Sequence, residues 1–211
     1  MKSEESMIAG RIEKLRLCRM RHNKWRCLST AALLFFILHS SLFTFTSCGE
    51  IENEYSSRRV YLRFDNSLHL DANLMAAMNP MSSNVFCRIW LSSIGKLSFQ
   101  SNQGSTSTVT LTASEQQSSM ILGINYESGI IVGYGFGGVF YCYDAVCPNC
   151  YDKKIERTLS MNTTGIATCP NCGHQYDMTN NGLSPQGGKL ERYHATNSGQ
   201  TGTLIVNNRY Y

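Results

Sequence analysis

An all-β fold, a sandwich or barrel of short strands, is predicted by three features of this 211-residue chain. Beyond residue 59, apolar residues recur with a period of two instead of 3.6. The apolar runs are short, and Ser, Gly and Asn clusters separate them. Helical spacing is confined to one stretch, Ala72 to Met78, which stops before Pro80 because the residue preceding proline disfavours the helical region.

Taken in order, the chain opens with a basic stretch, Arg11 to Arg26, and an apolar run from about Ala31 to Phe45, ending in Phe45-Thr46-Ser47-Cys48-Gly49. A basic segment, an apolar segment and small residues at a cut site describe a secretory signal over residues 1–47. The Thr46-Ser47-Cys48 junction resembles a bacterial lipobox, departing from it at Phe45, where Leu is usual. That resemblance implies that Cys48 carries the lipid, that residues 48–58 form a polar tether, and that the protein resides at the bacterial cell envelope. The competing reading is an uncleaved anchor, for which the run is short and interrupted by His39, Ser40 and Ser41. A start at Met20 gives a signal of ordinary length.

Residues 59–211 are read as the β domain. Val60, Leu62 and Phe64 alternate with Tyr61, Arg63 and Asp65, and Val85 to Leu91 is a second β-rich run. Shorter strands are expected at Leu97–Gln100, Thr108–Thr112, Gly129–Tyr134, Val139–Tyr143, Gln175–Asp177, Leu190–Ala195 and Leu204–Val206. Gly133-Tyr134-Gly135-Phe136-Gly137-Gly138 has the look of a phosphate loop, but a strand follows it where such a loop needs a helix. It reads instead as a hairpin turn.

Charge removes a class of partners. Eight of the nineteen basic residues (Lys2, Arg11, Lys14, Arg16, Arg19, Arg21, Lys24, Arg26) and three of the fifteen acidic ones (Glu4, Glu5, Glu13) precede the expected cut. The remaining 11 basic and 12 acidic residues nearly balance, so the basic excess belongs to the signal, and no nucleic-acid partner is expected.

The chemistry lies in two identical tetrapeptides, Cys147-Pro148-Asn149-Cys150 and Cys169-Pro170-Asn171-Cys172, eighteen residues apart. Within each, two residues between sulfurs let both point inward from one tight turn, and the separation is that of zinc ribbons. Pro148 and Pro170 stiffen the knuckles, and Gly173 permits the turn after the second. The alternative, two redox dithiols, explains one C-x-x-C but not its duplication. Residues 145–177 are therefore expected to form a rubredoxin- or zinc-ribbon-like metal-knuckle subdomain. Cys87 and Cys142, in strand-like runs, read as small buried hydrophobes or as a disulfide.

Residues 129–206 resemble a Rieske iron–sulfur domain. Gly129-Ile130-Ile131-Val132 and Val139 to Pro148 are similar to the strands entering that family's first cluster loop. Cys169-Pro170-Asn171-Cys172-Gly173-His174-Gln175-Tyr176-Asp177 is similar to its second, Cys-Pro-x-His-Gly-x-x-Phe-Asp, and Leu190–Tyr193 and Leu204–Val206 to its closing strands. The resemblance implies a Rieske-like β domain and an electron carrier working with a redox or envelope protein partner. The ligands depart from the pattern. Asn149 stands at the first His position with Cys150 following, and Cys172 stands at the second, so thiolates replace both imidazoles. Pro185 and Gly187-Gly188-Lys189 also alter the loop expected to shield the metal.

Four thiolates from Cys147, Cys150, Cys169 and Cys172 admit one zinc, one iron, or an all-cysteine [2Fe-2S] cluster, whose potential falls toward about −400 mV. Local spacing favours the mononuclear ion, and descent favours the cluster. His174 is expected to point away from the metal, with His194 the other near imidazole. No nucleophile motif or carboxylate pair stands out, so a carrier or binding role is expected over a substrate-converting enzyme.

Overall fold

The computed structural model describes residues 54–208. The expected signal sequence and Cys48 lie outside that range. Among the described residues, eleven strands, three short α-helices and one 3-10 turn follow one another, and the strands form three antiparallel sheets, none closed into a barrel. The all-β class holds. No helix among these residues is long and apolar enough to cross a membrane.

The first sheet has the order β1 (Tyr61–Asp65), β11 (Thr203–Asn207), β10 (His194–Asn197). The central sheet has the order β4 (Thr106–Thr110), β3 (Lys96–Ser101), β2 (Phe86–Ser93), β5 (Ile130–Tyr134), β6 (Phe140–Asp144). The third is small: β7 (Ser160–Met161), β8 (Ile166–Thr168), β9 (Gln175–Asp177). Helix α1 (Ala72–Ala77) begins at Asp71, whose carboxylate accepts from Leu74 N at 3.0 Å, a side-chain N-cap. Helix α2 is Ala113–Gln117 and α3 is Pro148–Tyr151.

Strand alternation makes the central sheet a wall between two cores. Cys87, Ile89, Ile130, Val132 and Cys142 face one way and pack with Leu62, Phe64, Leu204 and Val206 of the first sheet and with Leu74 of α1. Phe86, Ile131, Tyr141 and Tyr143 face the other way and pack with Ala167, Tyr176, Met178 and three of the knuckle cysteines. The first core is the larger; the second is completed by sulfur.

The register also settles Cys87 and Cys142. Both are free, fully buried and opposite Val132, which pairs with Cys87 in β2 and with Cys142 in β6. Two strand spacings, about 9.5 Å, separate them, beyond the roughly 7 Å limit for a disulfide. Burial raises both thiols well above their ordinary value, so they behave as small hydrophobes.

Two expectations shift and a third holds. The strand expected at Leu190–Ala195 starts only at His194 and runs on to Asn197, as β10. Leu190 fills the second core and Tyr193 the first, so the chain here crosses the rim of the central sheet, touching it at the Tyr143–Arg192 bridge. The strand expected at Thr108–Thr112 ends at Thr110, because Leu111 turns into the core and Thr112 caps α2. The Gly135–Gly138 turn joins β5 to β6, with Tyr134 opposite Phe140, as the hairpin reading requires.

Residues 54–58, the end of the expected tether, lie against the domain. Glu54 pairs with Arg192, Ser56 N donates to Arg192 O, and Tyr55 stacks on His194 at 3.6 Å.

Candidate metal centre

The two knuckles share a tetrapeptide but not a backbone. In the first, Cys147 sits at the N-cap of α3 with Pro148 at the first helical position, where its missing N–H costs nothing. Tyr151 N donates to Cys147 O at 3.0 Å, and the turn brings Cys147 and Cys150, three residues apart, onto one face. In the second, Gly173 N donates to Cys169 O at 3.0 Å, and Gly173 adopts φ 73°, a left-handed value that a residue with a Cβ takes only under strain. Cys169 N donates to His174 O at 2.9 Å, closing that loop onto β9.

The four Sγ atoms lie within 4.8 Å of one another. Cys147 Sγ is 3.6 Å from Cys172 Sγ, and Cys150 Sγ is 3.6 Å from Cys169 Sγ. A zinc–sulfur bond of about 2.3 Å gives a tetrahedron with edges of about 3.8 Å. The cage therefore has the size of one four-thiolate ion. A [2Fe-2S] cluster holds its thiolates two to an iron, and the two pairs stand apart by the iron–iron axis and its bridging sulfides. That arrangement is wider than this one.

A local two-fold relation organises the cage. The first cysteine of each knuckle approaches the last cysteine of the other, as the two 3.6 Å pairs show. The asparagines follow the same rule: Asn171 Nδ2 donates to Cys150 Sγ at 3.5 Å, and the Asn149 amide acts on Cys172, lowering its thiol. Each knuckle thus supplies a donor to the sulfur of its partner, which accounts for the repeated Asn. Tyr176, buried on β9, adds its hydroxyl 3.5 Å from Cys147 Sγ. Hydrogen bonds of this kind orient metal ligands and compensate anionic sulfur.

Cys147, Cys150 and Cys169 are buried, and Cys172 is partly exposed. Burial pushes the Cys147 thiol up to about 12 and raises that of Cys150. Burial also opposes ionisation of Cys172, but hydrogen bonds from the Asn149 side chain and the backbone at His174 outweigh it and bring that thiol down to about 6. One sulfur is thus ready to ionise, while two resist until a cation arrives to neutralise them.

The frame behind the first knuckle is polar and buried. Asp144 Oδ1 accepts from Val146 N at 2.8 Å, and its Oδ2 accepts from Ile124 N at 2.7 Å and from Tyr193 Oη at 2.8 Å. Burial raises this carboxyl to about 6 despite the three donors. Gly123 leaves room for it, since a Cβ there would stand 2.3 Å from Asp144 Oδ2.

All four cysteines expected as ligands converge here, and among the described residues they form the one grouping of His, Cys, Asp and Glu side chains able to hold a metal ion. His174 stands outside it, with Nδ1 3.4 Å from Asn149 Nδ2, and His194 stacks on Tyr55. Tyr176 and the two asparagines were not anticipated as sulfur partners. The identity of Asn149 and Asn171 at the third position of each tetrapeptide was the available signal. No family model matches the chain, and neither a curated protein nor a solved structure is significantly similar to it.

Proposed function

We propose that this protein is a metal-stapled β domain at the bacterial cell envelope, in which Cys147, Cys150, Cys169 and Cys172 hold one tetrahedral ion. The observation that carries the reading is the single cage of four sulfurs within 4.8 Å. Zinc is the preferred occupant: it is satisfied by four thiolates, is redox-silent, and converts its binding free energy into folding free energy. The ion would complete the second core, whose apolar residues converge on the cysteines. Rieske-like ancestry remains part of the proposal on the strength of residues 129–206, with the knuckles in the β6–β7 and β8–β9 loops, where that resemblance puts the cluster loops. The lipid at Cys48 and the membrane and envelope partners rest on the N-terminal sequence alone.

A second reading draws on Cys172. With iron in the cage, a partly exposed ligand and donors at Cys147, Cys150 and Cys172 suit a single-electron carrier.

One measurement separates the two readings: purify the full-length chain in detergent without oxygen, then assay iron, zinc and acid-labile sulfide per chain. One zinc and no sulfide is the expected result. One iron without sulfide supports the carrier, and two irons with two sulfides overturn the mononuclear assignment.

A further inference from the structure

Two close sulfur contacts at the site run between knuckles. Cys147–Cys172 and Cys150–Cys169 are each at 3.6 Å, and each pair joins the loop after β6 to the loop before β9. Forming a disulfide of about 2.05 Å from such a pair needs a movement of about 1.5 Å, within reach of two surface loops. Access is one-sided, because Cys172 alone among the four is partly exposed.

We infer that the site is an oxidant-responsive clamp, in which a hydroperoxide entering at Cys172 converts the four thiolates into two cross-knuckle disulfides, Cys147–Cys172 and Cys150–Cys169, and expels the metal. This rests on the four-thiolate reading above. The Cys172 sulfur attacks the peroxide O–O bond and becomes a sulfenic acid, while the other oxygen leaves as water. Cys147 Sγ then attacks that sulfur, the S–S bond forms, and the second oxygen departs as water. With two thiolates lost the ion leaves and the cage opens, and a second peroxide then takes Cys150 and Cys169 through the same steps. In total, four thiolates give up four electrons, two hydrogen peroxide molecules take them with four protons to yield four waters, and the divalent cation is left without ligands.

The crossed connectivity has a consequence for the fold. Disulfides within each tetrapeptide would leave the two loops unlinked, whereas crossed ones tie the same loops together as the ion did. The second core, which contains three of these cysteines, then keeps its closure while the metal is lost. Cys87 and Cys142 provide an internal control, being fully buried in the other core and too far apart to pair with each other.

The test uses the full-length chain in detergent, loaded with zinc without oxygen and assayed for bound metal first. A chain that binds no zinc fails the parent reading before any oxidant is added. Hydrogen peroxide is then titrated while a chromogenic chelator follows zinc release, and alkylated peptides are mapped by mass spectrometry. The expected result is one zinc released per two peroxides consumed, with peptides joined Cys147 to Cys172 and Cys150 to Cys169. Cys87 and Cys142 should remain alkylatable after denaturation. Retention of zinc under about a tenfold excess of peroxide overturns the inference, as does linkage within each tetrapeptide or a sulfinic acid at Cys172.

Discussion

Asn149 and Asn171 each reach across to the other knuckle's last sulfur, so the donors that settle anionic charge at Cys172 and Cys150 come from the loop opposite. Losing either should weaken the site without removing a ligand. Asn149→Ala and Asn171→Ala are each expected to reduce zinc affinity by about 10- to 100-fold, the usual cost of removing a ligand's hydrogen-bond partner. Chelator competition checks this, and Tyr176→Phe should fall in the same range through Cys147. Replacing a cysteine is more severe: each Cys→Ser change should remove most bound metal, and with it a folding contribution on the order of 10 kcal/mol. Asp144 acts in a different direction. Its folded value of about 6 exceeds the ordinary 3.8, so between those values the folded chain binds more protons than the unfolded one. The contribution of this carboxyl is therefore fully present below about pH 4 and is lost as pH rises through about 6. Relative to Asp144→Asn, which does not titrate, the protein should lose about 3 kcal/mol over that range. Denaturant unfolding of both proteins at several pH values measures the difference, in which the metal's own pH dependence cancels. A flat difference would refute the burial argument.

Among the elements, those with several alternating residues were legible in the sequence and those set by one or two contacts were not. Val60 to Phe64 and Phe86 to Leu91 bury one or both faces, so their patterns are strong. Strands β7 and β8 have two and three residues, too few for any period, and are held by pairing with each other and with β9, whose hairpin with β8 carries the second knuckle. Helix α3 was hidden inside the first tetrapeptide, although a proline directly after a capping residue is a start signal. Helix α2 was missed for a different reason. It buries none of its residues and so has no apolar period, but Thr112 and Glu115 form a capping box that the sequence does display. Thr112 Oγ1 accepts from Glu115 N at 3.3 Å, and Glu115 accepts in return from Thr112 N at 2.8 Å. Glu115 also pairs with His69, which stacks on Phe64, so the helix is pinned to the first core by its cap. Thr112→Ala should therefore cost about 1 kcal/mol. Thermal unfolding checks this, and zinc content should stay unchanged because α2 has no part in the metal cage.

At the scale of the whole molecule, the central sheet divides labour between its faces. One face meets the first sheet and α1 over the larger apolar cluster, and the other meets a small sheet and a cluster whose members include three ligand cysteines. The four ligands were legible because metal geometry imposes a spacing on the chain. Their place in a second core was not, since it depends on which face of β5 and β6 each alternating residue takes. This division predicts an uneven response to metal removal. With the ion withdrawn, Cys147 and Cys150 regain protons and the cage loses its central bonds, while Leu62, Phe64, Leu204 and Val206 keep every neighbour. Local openings follow such boundaries in cooperative units. Hydrogen exchange of the zinc-loaded and chelated chains should show protection lost at Ala167, Cys169 and Tyr176. The amides of β1, β3 and β11 should retain theirs, since their ladders, including the Leu62–Val206 pair, lie outside the knuckle sheet. Lys153 N and Ile155 N, which donate to Cys150 O at 3.0 Å, report on the first knuckle directly and should exchange among the earliest. Uniform loss of protection across both cores would mean that the sheet couples its two faces tightly, and that the metal holds the whole fold instead of one side of it.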